Sequence, residues 1–308
     1  YDTIYKQVKI MSGNKRDINK NIKITLLSSK DLFKKENNLI ISNNLTNIFK
    51  NIGIRSAASD LALINGSFAI DEEYVDCNQR LNNRSVSYYL KNNYGSYNLL
   101  ITLEGTISWV DNNIYNVGIR PVLEFEDFPI EIFERLFNFN GSSYVYFGEY
   151  PQVVASNQQL LKYLVGANKV YYTGKEYRTK IEWYSNMLSY VGYKEFEYNG
   201  EKYIKANVDI EDFYKVTLSN GQKYKKNDIV ILKVVPILWL VDIKNKRLIS
   251  NNIITSGIRF TNQKRTVEDF SNTEISNYLS TYLLEDMIYQ SEDYQEIYHN
   301  YKIKVKNK

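Results

Sequence analysis

Carboxylates come first among the residues that could do chemistry, because a positioned pair can act as general acid and base. Glu72 and Glu73 are adjacent, and Glu124 and Glu126 are separated by one residue. Adjacent residues of a strand point to opposite faces, whereas Glu124 and Glu126 would share one face as ordinary surface charges. Neither pair therefore predicts a catalytic site.

This chain has few residues that could bind a metal or act as a catalytic nucleophile. It has one cysteine, Cys77, and one histidine, His299, which excludes intrachain disulfides and leaves almost nothing for zinc sites or Cys–His pairs. Asp111, Asn112 and Asn113 offer the hard oxygens that calcium prefers, but a calcium cage takes roughly six to eight ligands and no acidic loop accompanies them. Phosphate-binding and dinucleotide-binding glycine motifs are missing from the sequence. We therefore expect no cofactor, no metal and no enzymatic activity.

Charge and composition favour a Tyr- and Asn-lined binding surface over a positively charged surface for nucleic acid. The 308 residues include 39 Lys and Arg against 35 Asp and Glu, so the chain lacks the strong positive field that phosphate tracking favours. It contains 28 Tyr, a surplus that an A/T-rich genome would produce and that a Tyr- and Asn-lined recognition surface would also produce. No stretch reaches the apolar length of a membrane span, so we expect a soluble protein without nucleic-acid or membrane partners.

The elements that must position a site begin with a strand and two helices. Residues 21–27 alternate into an apolar run typical of a half-buried strand, and a capping box at residues 28–31 opens a short helix. Residues 56–64 predict a second helix, which ends at Asn65 and Gly66 because glycine accepts the left-handed backbone.

From residue 86 the pattern changes to short strands. Strands are predicted at residues 86–90, 99–103, 106–110 and 118–125, separated by Asn- and Gly-rich turns. Rigid strands can hold protruding loops that carry a binding site. Aromatic rings would supply contact area and amides would supply hydrogen bonds, so the candidate ligand-binding residues are Tyr88, Tyr89, Asn92, Asn93, Tyr94, Tyr97, Trp109, Asn112, Asn113 and Tyr115.

A connector leads to a second group of elements. Residues 126–140 have apolar side chains at helical spacing, which predicts a short amphipathic segment, and residues 158–164 predict a further short helix. Residues 144–147 predict a strand ended by Gly148 and Pro151. Asn199-Gly200 favours a type I′ hairpin turn.

The densest apolar sequence follows this hairpin. Residues 229–235 and 237–241 predict two strands that are buried on both faces and broken at Pro236. A capping box at residues 271–274 then opens an amphipathic helix that extends to Met287.

Two sets of motifs resemble a bacterial and phage domain family of unknown function, many of whose members are similar to C-type-lectin modules. Five segments of this chain resemble motifs in the first half of the family's domain, its opening half. They are Phe147-Gly-Glu-Tyr-Pro-Gln152, Tyr198-Asn-Gly200, Pro236-Ile-Leu-Trp239, Arg247-Leu-Ile-Ser-Asn251 and Asn272-Thr-Glu-Ile275. The closing half resembles residues 22–33, Ser59-Asp-Leu-Ala62, Ser87-Tyr-Tyr-Leu90, Glu104-Gly105 and Gly118-Ile-Arg-Pro121. Here the closing half precedes the opening half.

The resemblance implies an α+β fold that is C-type-lectin-like, with mixed, mainly antiparallel sheets and a few short helices. The reversed order leaves two alternatives, a permuted or composite fold in which both halves complete one core, and two separate domains. The predicted organisation is residues 1–126 for the closing half, 127–143 for a connector, 144–290 for the opening half and 291–308 for a basic tail.

Five residues of these motifs are predicted to be structural. Arg120 could bind a ligand carboxylate, but an arginine inside a strand signature more often ties loops together through hydrogen bonds. Trp239 is expected in the core, whereas Trp109 borders a polar turn and is a surface candidate. The full structural set is Arg120, Pro121, Gly148, Pro151 and Trp239.

The resemblance implies a non-enzymatic binding or structural module associated with a phage or prophage. It would recognise a protein or glycan target as a virion or display component, with other virion proteins or copies of itself as further partners. An inhibitor of a host defence protein is the alternative, and the location would be the virion or the host cytoplasm. The formylglycine-generating oxidases are similar in fold, but they use paired cysteines around copper, which the single Cys77 argues against.

Overall fold

The computed structural model describes residues 22–33, 55–67, 84–155, 160, 164, 170–261 and 269–297, without residues 104, 113, 115, 127, 140, 185, 186 and 213. Several predictions therefore fall outside the described residues. They concern Glu72, Glu73, Cys77, His299, Asn113, Tyr115, most of the helix at 158–164 and most of the tail at 291–308.

Strands dominate the described part of the chain, and four of them are 12 to 14 residues long. None of its helices is long and apolar enough to cross a membrane. The helices are α1 Ser29–Phe33, α2 Asp60–Ile64, α3 Ile130–Glu134 and α4 Glu274–Tyr278. The strands are β1 Ile22–Leu26, β2 Tyr88–Tyr94, β3 Tyr97–Ile101, β4 Ile107–Asp111, β5 Pro121–Phe125, β6 Phe137–Phe139, β7 Ser142–Val154, β8 Tyr172–Tyr184, β9 Met187–Tyr198, β10 Glu201–Asn207, β11 Lys215–Thr217, β12 Lys223–Lys225, β13 Ile229–Asp242 and β14 Arg247–Ser250.

A nine-stranded sheet forms the centre of the fold. Its main path runs β1-β5-β14-β13-β10-β9-β8, and β7 pairs with the other edge of β13 and with β6. Neighbouring strands are antiparallel at each of these pairings. The sheet takes strands from both sides of the predicted connector, because β5 pairs with β14. Mainly antiparallel sheets with a few short helices agree with the predicted α+β class.

Local capping and turn chemistry behaves as the sequence predicts. The backbone N–H of Ser28 donates to the Asp31 carboxylate at 2.8 Å, and the Asp31 N–H donates back to Ser28 Oγ at 3.3 Å, which is the reciprocal pair of a capping box. Asn199 and Gly200 have φ angles of 52° and 76°, as a type I′ turn requires. Helix α2 is shorter than predicted because Ser59 caps it, accepting from the Ala62 N–H at 3.0 Å.

Two predicted strand breaks are wrong. β7 continues through Gly148 and Pro151, and β13 continues through Pro236. The β7–β13 register shifts between Lys233 and Val234 and again between Pro236 and Leu238, so each proline lies beside an irregularity. A β-bulge tolerates a residue that lacks an N–H donor, because the ladder is already interrupted there.

The last helical region also begins later than predicted. Thr273, not Ser271, is the N-cap of α4, and its Oγ1 accepts from the Ser276 N–H at 3.1 Å. α4 continues as two π-helical segments, Leu279–Leu283 and Glu285–Tyr289. We call these three segments together the C-terminal helix. Of the six residues predicted for its apolar face, Tyr282 is half-buried, and the others are buried: Ile275, Tyr278, Leu279, Leu283 and Met287.

The predicted structural residues hold the core together. Arg120 Nε donates to the Ser250 carbonyl at 2.8 Å, and its Nη1 donates to the Tyr88 hydroxyl at 3.3 Å. Trp239 is fully buried, and its indole N–H donates to the Phe147 carbonyl at 2.7 Å. Pro121 pairs opposite Leu26.

A buried ion triad connects distant parts of the chain. Arg247 on β14 donates through Nη1 to Asp31 at 2.9 Å and through Nη2 to Asp242 at 2.8 Å. All three side chains are at most 10% exposed. Asp31 belongs to the short N-terminal helix α1, so the triad fixes α1 against the central sheet.

The C-terminal helix covers the edge strand β8. The buried Asp286 carboxylate accepts from the backbone N–H of Arg178 at 2.6 Å and also from the Arg178 guanidinium. The Tyr278 hydroxyl donates to the Arg178 carbonyl at 2.8 Å. Helix side chains therefore satisfy backbone groups that an edge strand would otherwise expose.

Asp286 makes the stability of the fold depend on pH. Burial raises its pKa from 3.8 to about 6, outweighing the attraction of Arg178. Because the folded-state pKa is the higher one, this contribution is fully present below the unfolded-state pKa and is lost as the pH rises through about 6. We expect the advantage of wild type over Asp286→Asn in unfolding free energy to shrink by roughly 1–3 kcal/mol from pH 4 to pH 7. Urea unfolding at both pH values measures it, and a constant difference would contradict it.

Candidate binding surface

A separate three-stranded sheet carries most of the predicted site residues. In β2, β3 and β4, Tyr94 lies opposite Tyr97 and Leu99 lies opposite Trp109. Because side chains alternate between the two faces of a strand, these four side chains lie on one face. Gly95 closes the β2–β3 turn with a φ of 62°, which glycine adopts without steric cost.

Large apolar side chains on this face are exposed to solvent. Tyr94 is 76% exposed, Trp109 54%, Tyr97 52% and Ile107 37%. The rings of Tyr94 and Trp109 meet edge to face, with their centroids 6.1 Å apart. We call Tyr94, Tyr97, Ile107 and Trp109 the aromatic face. It is a continuous patch, because Tyr97 is the register partner of Tyr94, the ring of Tyr94 meets that of Trp109, and Ile107 lies two residues from Trp109 on β4.

The opposite face of this sheet is fixed to the rest of the protein. Asn98 and Leu100 are buried there, and Asn98 Nδ2 donates to the Leu90 carbonyl at 3.2 Å. The Lys91 N–H donates to the Leu27 carbonyl at 2.9 Å, which ties β2 to the segment after β1. The aromatic face is therefore presented by a held sheet rather than by a free loop.

Three of the predicted ligand contacts are wrong because their side chains are buried. Tyr88 and Tyr89 are fully buried: Tyr88 lies against Arg120, and the Tyr89 hydroxyl donates to the Ile114 carbonyl. Removal from water raises the pKa of Tyr88, and both hydroxyls stay neutral. Asn112 is also fully buried, and its Nδ2 donates to the Gly95 carbonyl at 3.4 Å.

Two further predicted amides are partly buried. Asn92 Oδ1 accepts from the Ser29 N–H at 2.6 Å, so it holds the first turn of α1. Asn93 lies opposite Asn98 in the ladder. Asn113 and Tyr115 lie outside the described residues. Of the ten predicted residues, the structure therefore brings Tyr94, Tyr97 and Trp109 together on an open surface.

A second exposed aromatic surface, on β6 and β7, was not predicted from the sequence. Phe139 is 61% exposed, Tyr146 51% and Phe137 40%, and the ring of Phe137 stacks on that of Tyr146 at 5.7 Å. Beside Tyr146 lies a cleft of about 720 Å³. Aromatic residues at every second position of 137–139 and 144–146 were the available signal, but the pattern alone does not say which face stays uncovered.

The described residues contain no group of three or more His, Cys, Asp or Glu side chains that could hold a metal ion. What the aromatic face provides is apolar contact area with fixed geometry.

Comparison with family models, curated proteins and solved structures found no match to this chain.

Proposed function

We propose that this protein is a non-enzymatic binding module that recognises a protein or glycan target through its aromatic face. The observation that carries the proposal is the clustering of Tyr94, Tyr97 and Trp109, each more than half exposed, on one face of a small sheet. Water-exposed rings of this size are costly to leave uncovered, and clustered exposed apolar side chains mark interaction surfaces.

Aromatic side chains suit this role for physical reasons. Tyr and Trp bring a large area to an interface at a low cost in side-chain entropy, and their polar atoms can hydrogen-bond at its rim. The antiparallel register of β3 and β4 fixes the positions of Tyr97 and Trp109 before binding. A preformed surface avoids the ordering cost that a loop would incur.

The finer parts of the proposal rest on the sequence resemblance. We propose a C-type-lectin-like architecture in which the two halves complete one core, and the β5–β14 pairing across the connector supports a composite core. Within that proposal the protein is a phage-associated display component or an inhibitor of a host defence protein. Both roles need a complementary surface without catalytic residues.

The double substitution Tyr94→Ala and Trp109→Ala tests the proposed site. Ligands are first selected with the wild-type protein from a glycan array and a peptide-display library, and affinity is then measured by calorimetry. We expect the double variant to lose about 100-fold or more in affinity, because each buried interface ring contributes roughly 1–2 kcal/mol. Its melting temperature should stay close to that of wild type, since both side chains are exposed.

The matched control replaces two exposed tyrosines elsewhere, Tyr171 and Tyr172, which are 69% and 59% exposed. Tyr171→Ala with Tyr172→Ala should leave the affinity unchanged. If the Tyr94 and Trp109 variant binds the selected ligand as tightly as wild type does, the aromatic face is not the site.

A further inference from the structure

Four asparagine–glycine pairs occur in this chain, and each contains the groups for the same internal reaction. The backbone nitrogen of the glycine can attack the side-chain carbonyl carbon of the asparagine before it, because glycine has no Cβ to crowd the approach. Asn140 lies outside the described residues, so the structure describes the surroundings of three pairs. The four pairs are Asn65-Gly66, Asn140-Gly141, Asn199-Gly200 and Asn220-Gly221.

The surroundings of each pair decide how readily it reacts. The glycine nitrogen attacks after losing its proton, so a hydrogen bond that its N–H donates must break first. The asparagine amide must turn toward this nitrogen, so hydrogen bonds to the amide also oppose the reaction. Water must reach the ring that forms, because the ring opens by hydrolysis. An exposed pair without these hydrogen bonds is therefore the most reactive one.

Asn65-Gly66 meets none of these conditions. Asn65 is 1% exposed, and its Nδ2 donates to the Thr179 carbonyl at 3.5 Å and to Thr255 Oγ1 at 3.4 Å. The Gly66 N–H donates to the Leu63 carbonyl at 3.2 Å. Burial and these hydrogen bonds therefore protect Asn65 from the reaction.

Asn220-Gly221 is nearer the surface, but its polar atoms are engaged. The Gly221 N–H donates to the Leu218 carbonyl at 2.9 Å. Asn220 Oδ1 accepts from the Gln222 N–H at 3.0 Å, and its Nδ2 donates to the Tyr224 hydroxyl at 2.8 Å. These hydrogen bonds must break before the Gly221 nitrogen can attack Asn220 Cγ, so the pair is partly exposed but restrained.

Asn199-Gly200 meets all three conditions. Both residues are exposed at the tip of the β9–β10 hairpin. Among the described residues, none accepts a hydrogen bond from the Gly200 N–H, and none bonds to the Asn199 side chain. A Cβ at Gly200 would meet no atom within 4 Å, so no packing opposes the rotation that brings its nitrogen to Asn199 Cγ.

We propose that Asn199 is a site of spontaneous deamidation. Hydroxide removes the Gly200 N–H proton, and the nitrogen forms a bond to Asn199 Cγ. The bond between Cγ and Nδ2 breaks, and the amide nitrogen leaves as ammonia after taking a proton from water. Water then opens the five-membered succinimide at either carbonyl, which gives aspartate or isoaspartate at position 199 without a change in oxidation state. This site shares no residue with the aromatic face and does not depend on the binding function proposed above.

The two products differ in their effect on the hairpin. Aspartate keeps the backbone and adds a negative charge. Isoaspartate lengthens the backbone by one carbon, whereas a two-residue type I′ turn fixes the pairing of Tyr198 with Glu201. Isoaspartate should therefore loosen this pairing, and the amides of Tyr198 and Glu201 should exchange hydrogen faster than in the Asn199→Asp variant. Equal exchange in the two forms would overturn this consequence.

Ageing of the intact protein tests the proposal. Wild type is incubated at pH 8, and samples are cleaved after Lys and Arg, which places the four pairs in four separate peptides. Mass spectrometry follows the replacement of the side-chain NH₂ by OH in each peptide. We expect Asn199 to react about tenfold or more faster than Asn220, because hydrogen bonds must break at Asn220. Asn65 should also react more slowly than Asn199.

Unfolded protein provides the matched control. In urea that unfolds the chain the pairs lose their different surroundings, so the rates at Asn199 and Asn220 should become similar. The Asn199 rate in the native protein should rise from pH 6 to pH 8, because the attacking nitrogen must lose its proton. The proposal is overturned if native Asn199 reacts no faster than Asn220, if their difference persists in urea, or if the product at position 199 contains no isoaspartate.

Discussion

Replacing Arg247 by alanine is expected to lower the free energy of unfolding by about 3–5 kcal/mol. The guanidinium bridges Asp31 and Asp242, whose side chains are 9% and 3% exposed. Removing it leaves two carboxylates in a low-dielectric site without a counter-charge. Burial alone would raise the pKa of Asp31, but bonds from Ser28 and Arg247 hold it below its usual value. Urea unfolding at pH 7 measures the loss.

Arg135 provides the matched control for Arg247. It also joins two carboxylates, those of Asp293 and Glu296, at 2.8 Å each. These side chains are between 32% and 63% exposed, so solvent screens the pairs. Arg135→Ala should cost no more than about 1 kcal/mol. Equal losses for the two arginine variants would show that burial of the triad does not determine its contribution.

Gly148→Ala is expected to destabilise the protein by about 2–5 kcal/mol. Gly148 has a φ of 71°, in the left-handed region where an alanine costs roughly 1–2 kcal/mol. A Cβ at this position would also lie 2.6 Å from Ile288 Cδ1 and 2.6 Å from the Met287 carbonyl oxygen. Overpacking of this kind adds about 1–3 kcal/mol. Thermal and urea unfolding both measure the change.

Gly221 separates the backbone cost from the packing cost. Its φ of 76° is close to that of Gly148, but a Cβ there would meet no atom within 4 Å. Gly221→Ala should therefore show the backbone cost alone. If both alanine variants lose the same stability, the C-terminal helix does not restrict residue 148, and the tight approach of Met287 is not what requires glycine.

Local signals in the sequence predicted local structure well. The Ser28–Asp31 capping box, the Asn199-Gly200 turn and the buried face of the C-terminal helix depend on neighbours within about four residues, which the sequence displays directly. Proline and glycine misled the strand assignments. Gly148 and Pro236 were expected to end strands, but the β7–β13 bulges accommodate both, and bulges depend on a partner strand that lies far away in sequence.

The candidate site also combines features that the local sequence predicts with features that depend on distant residues. Exposure of Tyr94, Tyr97 and Trp109 could be expected, because these residues flank polar turns. Burial of Tyr88 and Tyr89 could not, since it depends on Arg120 and on the packing of Phe260 against Tyr89. The cleft beside Tyr146 combines residues from five separate stretches of the chain, and only the assembled fold brings them together.

The β5–β14 pairing also means that β5 is synthesised well before its partner strand. Residues 121–125 leave the ribosome about 120 residues before their partners at 247–250, a delay of roughly 6–24 s at ordinary elongation rates. During that interval the edge of β5 that later pairs with β14 is open, and such an edge can pair with other chains. Folding dominated by contacts this distant is slow. The central sheet therefore cannot join β1 and β5 to its other strands until β14 has been synthesised.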